Sequence, residues 1–239
     1  MKAFYDLHMH SCLSPCGDPD MTPNNIVGMS TLLGLNLIAL TDHNTCQNCP
    51  AVEELGKANG ICVLSGMELT TSEEIHVVCL FPTAEKALKF ESFVSQHRMK
   101  IKNKKEIYGE QLILNAQDEK IGEIEELLIL ATDISIMDIK KLCSEYGGTA
   151  FPAHINRDSC SVLSVLGEIP PECNFSVAEV SQSGDIEKLT ASHPILKNMY
   201  IIRDSDAHYL ENMRDAGPYI EIDELTAENV MNFLEDPLK

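Results

Sequence analysis

The chain has 239 residues, 44% of them hydrophobic, and sets 18 Lys+Arg against 37 Asp+Glu for a formal charge of −19. A chain this acidic repels polyanions at long range, which argues against nucleic-acid polymers and anionic membranes as partners and favours small substrates. No apolar run reaches the roughly 18 residues of a membrane span. The opening residues lack the apolar core of a secretion signal, and nine cysteines, an odd count, fit reduced thiols in a cytoplasmic protein.

Strand and helix signals alternate, the pattern of a parallel α/β architecture. A first strand is expected over residues 3–8. "MTPNNIVGMSTLLGL" follows as a helix with Thr22 as N-cap and Pro23 in the first turn. "NLIALTDHN" is an apolar strand ending in polar residues, and "PAVEELGKANG" is a helix stopped by Gly60. "ICVLSGMEL" and "EIHVVCLF" are the next strands, and "AEKALKFESFVSQHRMK" is a helix. "EQLILNAQDEKIGEIEELLI" then reads as a hairpin around an Asp-Glu-Lys turn. Helix returns in "DISIMDIKKLCSEYGG". The strands "TAFPAH", "SVAEVSQ", "MYIIRDSDAH" and "GPYIEI" follow, with a short helix over residues 159–166 and a terminal one in "TAENVMNFLED".

Polar residues recur at the ends of these strands: His8 and His10, Asp42 and His43, Glu68, His154, then Asp206 and His208, with His76 at the start of its strand. Residues i and i+2 of a strand share a face, so His8 and His10 look into one space. In a parallel barrel the carboxyl ends meet on one rim. Six imidazoles and several carboxylates gathered there need a neutralising cation, and nitrogen and oxygen donors suit zinc, manganese or iron.

The ordered segments "HMHS", "TDHN", "GMELT", "EIHVV", "PAHINR" and "SDAH", spread over residues 6–208, resemble the motif series of the PHP (polymerase and histidinol phosphatase) superfamily. The resemblance implies a distorted seven-stranded (βα)7 TIM-like barrel, here one domain over residues 1–239 with a helix-plus-hairpin insertion at about 82–135. It also implies three divalent ions. His8, His10, Glu68 and Asp206 would hold one, and Glu68, His76 and His154 a second. His43 and His208 would hold the third with one ligand from the loop after the first strand. That loop, "SCLSPCGDPDMTP", is longer than the family pattern; counting back from Pro23 favours Asp18 over Asp20. Arg157 would reach a phosphate oxygen, Asp42 and Ser205 would orient ligands, and Glu179 is a candidate for the pocket wall.

The expected activity is metal-dependent hydrolysis of a small phosphomonoester, a nucleotide or phosphorylated metabolite, with water activated between ions and inorganic phosphate released. The alternatives are a nuclease-like phosphodiesterase on nucleic-acid ends and a non-catalytic, metal-stabilised regulatory module. Two further features stand apart. Cys12, Cys16, Cys46 and Cys49, on adjacent loops, could supply thiolates to zinc or an iron–sulfur cluster. The basic run "HRMKIKNKK" (residues 97–105) reads as a solvated surface without interleaved aromatics for base stacking.

Overall fold

The computed structural model describes residues 1–238. Its first half alternates as the sequence predicts: β1 (Lys2–Asp6), α1 (Pro23–Leu32), β2 (Leu37–Leu40), α2 (Cys49–Asn59) and β3 (Cys62–Thr70). The Thr22 side chain accepts a hydrogen bond from the Asn25 amide to start α1, and Gly60, at φ 72°, ends α2. β1, β2 and β3 pair in parallel, which puts their carboxyl ends on one rim.

β4 (His76–Phe81) departs from the expected parallel run. Only residues 71–75 separate it from β3, too few for a crossover, so it pairs antiparallel with Thr70 opposite His76. That reversal places the start of β4 on the same rim as the end of β3. After β4 come α3 (Ala84–His97), α4 (Lys105–Tyr108) and the hairpin β5 (Leu112–Leu114) and β6 (Lys120–Glu123). Next are α5 (Ile136–Glu145) and β7 (Thr149–Pro152), which pairs antiparallel with β4 and so ends at the rim again. α6 (Val162–Leu166) starts later than expected because the Ser161 side chain caps it. β8 (Val177–Glu179), α7 (Ile186–Ser192), β9 (Tyr200–Ile202), β10 (Tyr219–Glu221) and α8 (Ala227–Glu235) complete the order.

The ladders form a curled six-stranded mixed sheet, β10-β1-β2-β3-β4-β7, and a separate parallel pair, β8-β9. The curled sheet is consistent with the expected distorted TIM-like barrel, although β4 runs antiparallel to both of its neighbours. Tyr5, Leu37, Leu64, Val78, Phe151, Val177 and Ile202, one from each of β1–β4 and β7–β9, share an apolar cluster with Val230 and Leu234 of α8. A second cluster holds the helix faces, including Ile26, Val52 and Phe90, against Ile38, Met67 and Phe81. Single hydrogen bonds join the pair to the sheet: the Ile155 amide donates to the Glu179 carbonyl and the His10 amide to the Ala207 carbonyl. No helix among the described residues is long and apolar enough to cross a membrane.

Candidate metal centre

Glu68, 1% exposed, stands at the middle of the rim. Five imidazoles surround its carboxylate. Its Oε1 lies 2.8 Å from His76 Nδ1, 3.0 Å from His154 Nε2 and 3.3 Å from His8 Nε2. Its Oε2 lies 3.1 Å from His43 Nδ1 and 3.3 Å from His10 Nε2. Asp206 Oδ1 approaches His10 Nε2 at 3.2 Å and His8 Nε2 at 3.5 Å. His208 completes the ring, stacked on His10 with centroids 4.1 Å apart. Two of these residues occupy the left-handed backbone region, His154 at φ 27° and Asp206 at φ 50°. Such conformations cost on the order of 1–3 kcal/mol each and persist where the surroundings fix them.

The hydrogen-bond partners behind the ring decide where the protons sit. Glu179 Oε2 holds His8 Nδ1 at 2.7 Å, so a proton stays on Nδ1 and Nε2 is the nitrogen turned inward, available to a cation once its own proton leaves. The Ser14 hydroxyl donates to Asp42 Oδ1 (2.7 Å) and therefore accepts from His10 Nδ1 (3.0 Å), turning the His10 Nε2 lone pair inward as well. The two Nε2 atoms are 3.2 Å apart. Two lone pairs at that distance repel unless something positive lies between them. His43 Nδ1 and Asp206 Oδ1 are likewise buried without an aligned hydrogen-bond partner. Without metal, a proton between the nitrogens is stabilised by Glu68 and Asp206; divalent cations suit the same donors and can take that proton's place. Three groups of converging ligand atoms are His8, His10, Glu68 and Asp206; His43, Glu68 and His76; and His10, His43 and His208.

The charges follow from the same contacts. Burial disfavours an imidazolium at His8, yet Glu179, Glu68 and Asp206 outweigh it and hold the pKa well above the ordinary value. For His76, burial is overcome by Glu68 and then the Cys160 thiol, and its pKa is pushed up to about 10. At His43 burial prevails, and the pKa falls well below the usual range. At His208 burial, helped by the neighbouring His10, lowers it to about 4. The carboxyl of Glu68 pays for burial but is held well below the carboxylate range by His76, His8 and His43.

The other candidates fall around this ring. Arg157 Nη1 pairs with Asp206 Oδ2 at 2.7 Å, its side chain 46% exposed. Asp42 accepts from the Ser11 amide and hydroxyl and the Ser14 hydroxyl. Ser205 shapes the Asp206 turn: its hydroxyl accepts from the Ala207 amide, and its own amide donates to Asp6. A polar cavity of about 360 Å³ beside Asp206 includes Arg157, Glu179, Ser181 and Ser205 in its wall.

Asp18 and the four cysteines lie outside the three converging groups. Asp18 reaches the ring only through its backbone, whose amide donates to the His208 carbonyl at 2.8 Å. Its Oδ1 caps the Asp20 amide, and its carboxylate is outside the three ligand groups. Asp20 is exposed. The third group therefore uses His10 beside His43 and His208. The four-thiolate site also fails to assemble. Cys49 donates to the Leu40 and Gly66 carbonyls in the core, and burial raises the thiols of Cys46, Cys12 and Cys16, the last two to about 12. Among the described residues no cysteine joins a ligand group. Ser14, the link between Asp42 and His10, carries no sequence signal of its own; a serine four residues past a histidine is commonplace.

The PHP domain family matches residues 6–149 of the chain, across the segments that supply His8, His10, His43, Glu68 and His76. The chain belongs to the PHP domain family. A 5'-3' exoribonuclease from Haemophilus influenzae is 37% identical over 83 residues, 34% of this chain and 29% of that protein. The 5'-3' exoribonuclease Rnm of Salmonella typhimurium is 33% identical over 81 residues, 32% and 27% of the two chains. The matches thus span less than a third of either relative's length. In fold, the lesion-specific endonuclease PfuEndoQ from Pyrococcus furiosus superposes with a TM-score of 0.68 at 18% identity, covering 98% of this chain and 56% of that one. These matches overturn the expectation that a small substrate is favoured and a nucleic-acid polymer disfavoured, because these two sequence relatives are exoribonucleases. Net charge is a weak guide to substrate class, because binding is decided at the site, where bound cations would offset the local charge.

Proposed function

We propose that this PHP protein is a metal-dependent phosphodiesterase that hydrolyses nucleic acid, working at strand ends. The observation that carries the reading is the convergence of His8 and His10 Nε2 with the carboxylates of Glu68 and Asp206, a donor set suited to a divalent cation. The nuclease names of two relatives that match about a third of this chain give it the substrate class. His8, His10, Glu68 and Asp206 would hold one ion, Glu68, His76 and His154 or His43 a second, and His43 and His208 with His10 a third. Ions bound there would supply Lewis-acid stabilisation of a phosphoryl centre and a water of lowered pKa.

The chain's own residues set up that chemistry. Glu179 and the Asp42–Ser14 relay keep the protons of His8 and His10 on the outward nitrogens. Arg157, half exposed on the cavity wall, leaves Asp206 for a phosphate oxygen when substrate arrives, offering its planar fork to the developing charge. We read the hydrogen bonds from Ile155 and His10 as closing β1–β4 and β7–β9 into a seven-stranded ring that makes this rim continuous.

The test is incubation of the manganese- or zinc-loaded protein with end-labelled oligoribonucleotides. Release of mononucleotides, abolished by chelator and by E68A, supports the reading. Intact oligonucleotides under every metal condition refute it.

A further inference from the structure

Beside the ring lies a groove of about 530 Å³ that does not include Arg157 in its wall. One wall is the loop after β1, with Pro15, Cys16 and Pro19; the other is α4 and the residues leading to β5, with Ile107, Tyr108 and Leu112. Tyr209 closes the end. The groove is continuous with the ring. Tyr209 follows His208 directly, and Asp18, on the groove wall, is hydrogen-bonded to the His208 carbonyl. The charge of Glu68 is felt at Cys16, where it helps burial raise the thiol. Tyr108 and Tyr209 are 38% and 47% exposed, and Ile107 is 64% exposed, so apolar and aromatic surface is left open to water right at the metal centre.

We propose that this groove is a stacking platform for the bases of an unpaired strand. On this assignment, which rests on the nucleic-acid reading above, Tyr108 and Tyr209 hold the nucleotides on one side of the scissile phosphate. The polar cavity at Arg157 takes the nucleotide on the other. A phosphodiester has two substituents, and the groove beside His208 and the cavity beside Asp206 offer a recess for each. Aromatic faces accept any base, so the groove confers a preference for single strands without a sequence requirement. The acids on its walls, Asp18 and Glu110, repel phosphates but can accept hydrogen bonds from amino groups on base edges. The phosphates have cations at hand elsewhere: Lys102 and Lys104, exposed just before α4, form no ion pair among the described residues. By contrast Lys100 and Lys105 of the same run are tied to Glu126 and Glu123. Two tyrosines from distant parts of the chain thus supply the aromatic partners that the basic run itself lacks.

The test is the anisotropy of a fluorescein-labelled, phosphorothioate oligoribonucleotide titrated with the metal-loaded protein, with a blunt duplex of the same sequence as competitor. Y108A and Y209A are each expected to weaken binding roughly 5- to 100-fold, the range for loss of one stacked base, while Y108F and Y209F bind like wild type. The duplex competes poorly. Circular dichroism and thermal melting verify that the variants fold. If wild type cleaves oligonucleotides but Y108A/Y209A binds them as tightly as wild type, the groove assignment is wrong and the nuclease reading survives. If the duplex binds as well as the single strand, stacking is not what the groove does. If wild type neither binds nor cleaves any oligonucleotide, both fall.

Discussion

Ser14 offers the sharpest perturbation of the metal centre, because it touches no substrate and no ion in the account given above. Its hydroxyl is 1% exposed and serves three partners: it accepts from His10 Nδ1 at 3.0 Å and from the His43 amide at 3.2 Å, and donates to Asp42 Oδ1 at 2.7 Å. S14A leaves Asp42 with the Ser11 amide and hydroxyl, at 2.7 and 2.6 Å, so the carboxylate remains served. His10 loses its only outward acceptor. Leaving a buried donor unpaired costs about 1–3 kcal/mol, and the imidazole escapes that cost by moving its proton to Nε2, the atom a cation needs. The expected consequence is a fall in divalent-metal affinity of about 10- to 100-fold, the range for loss of an outer partner of a ligating histidine. Isothermal titration with manganese, or competition against a calibrated chelator, measures it. S14T, which keeps the hydroxyl, restores part of the affinity. S14A binding metal as tightly as wild type, in a preparation where H10A does not, would refute the relay.

Three further outcomes follow from the same geometry. Gly17 allows the loop after β1 to fold back on itself, since a Cβ there would sit 2.2 Å from the Ser11 carbonyl oxygen; G17A should displace Ser11 and Asp18, lower metal occupancy by at least one ion in elemental analysis and reduce the melting temperature. The metal-free protein should lose stability as pH rises: His76 is raised from 6.5 to about 10, so its contribution is complete below pH 6.5 and disappears as pH climbs through about 10. Because cations compete with those same protons, metal affinity should rise over that window and binding should release protons, which titrations in buffers of different ionisation enthalpy detect; a pH-independent affinity would contradict it. R157A should slow cleavage while leaving metal content unchanged, and R157K should recover only part of the rate, because lysine lacks the paired donors of the guanidinium.

The rim was legible in the sequence because its residues sit where strand signals end, and strand ends are what periodicity marks. His76 was placed correctly at a strand start, although the reason became visible only with the antiparallel turn at residues 71–75, which carries that start to the rim. Asp18 was not legible. A loop longer than its pattern can bring backbone rather than carboxylate to the site, and here the Asp18 amide goes to His208 while the side chain caps its own turn. The cysteine pairs misled because spacing along the chain says nothing of direction; Cys49 turns into the core, where a thiol acts as a small apolar group. The tyrosine groove lay beyond reach altogether, since no local pattern connects Tyr108 with Tyr209.

The central claim is that cations lie between the inward nitrogens of this ring and hold a phosphodiester there. Anomalous diffraction from manganese-loaded crystals grown with a phosphorothioate oligoribonucleotide tests it most directly. The account predicts peaks about 2.0–2.3 Å from His8 Nε2, His10 Nε2 and the carboxylates of Glu68 and Asp206, with a backbone phosphate against them. Peaks elsewhere, or a strand bound away from the ring, would contradict it.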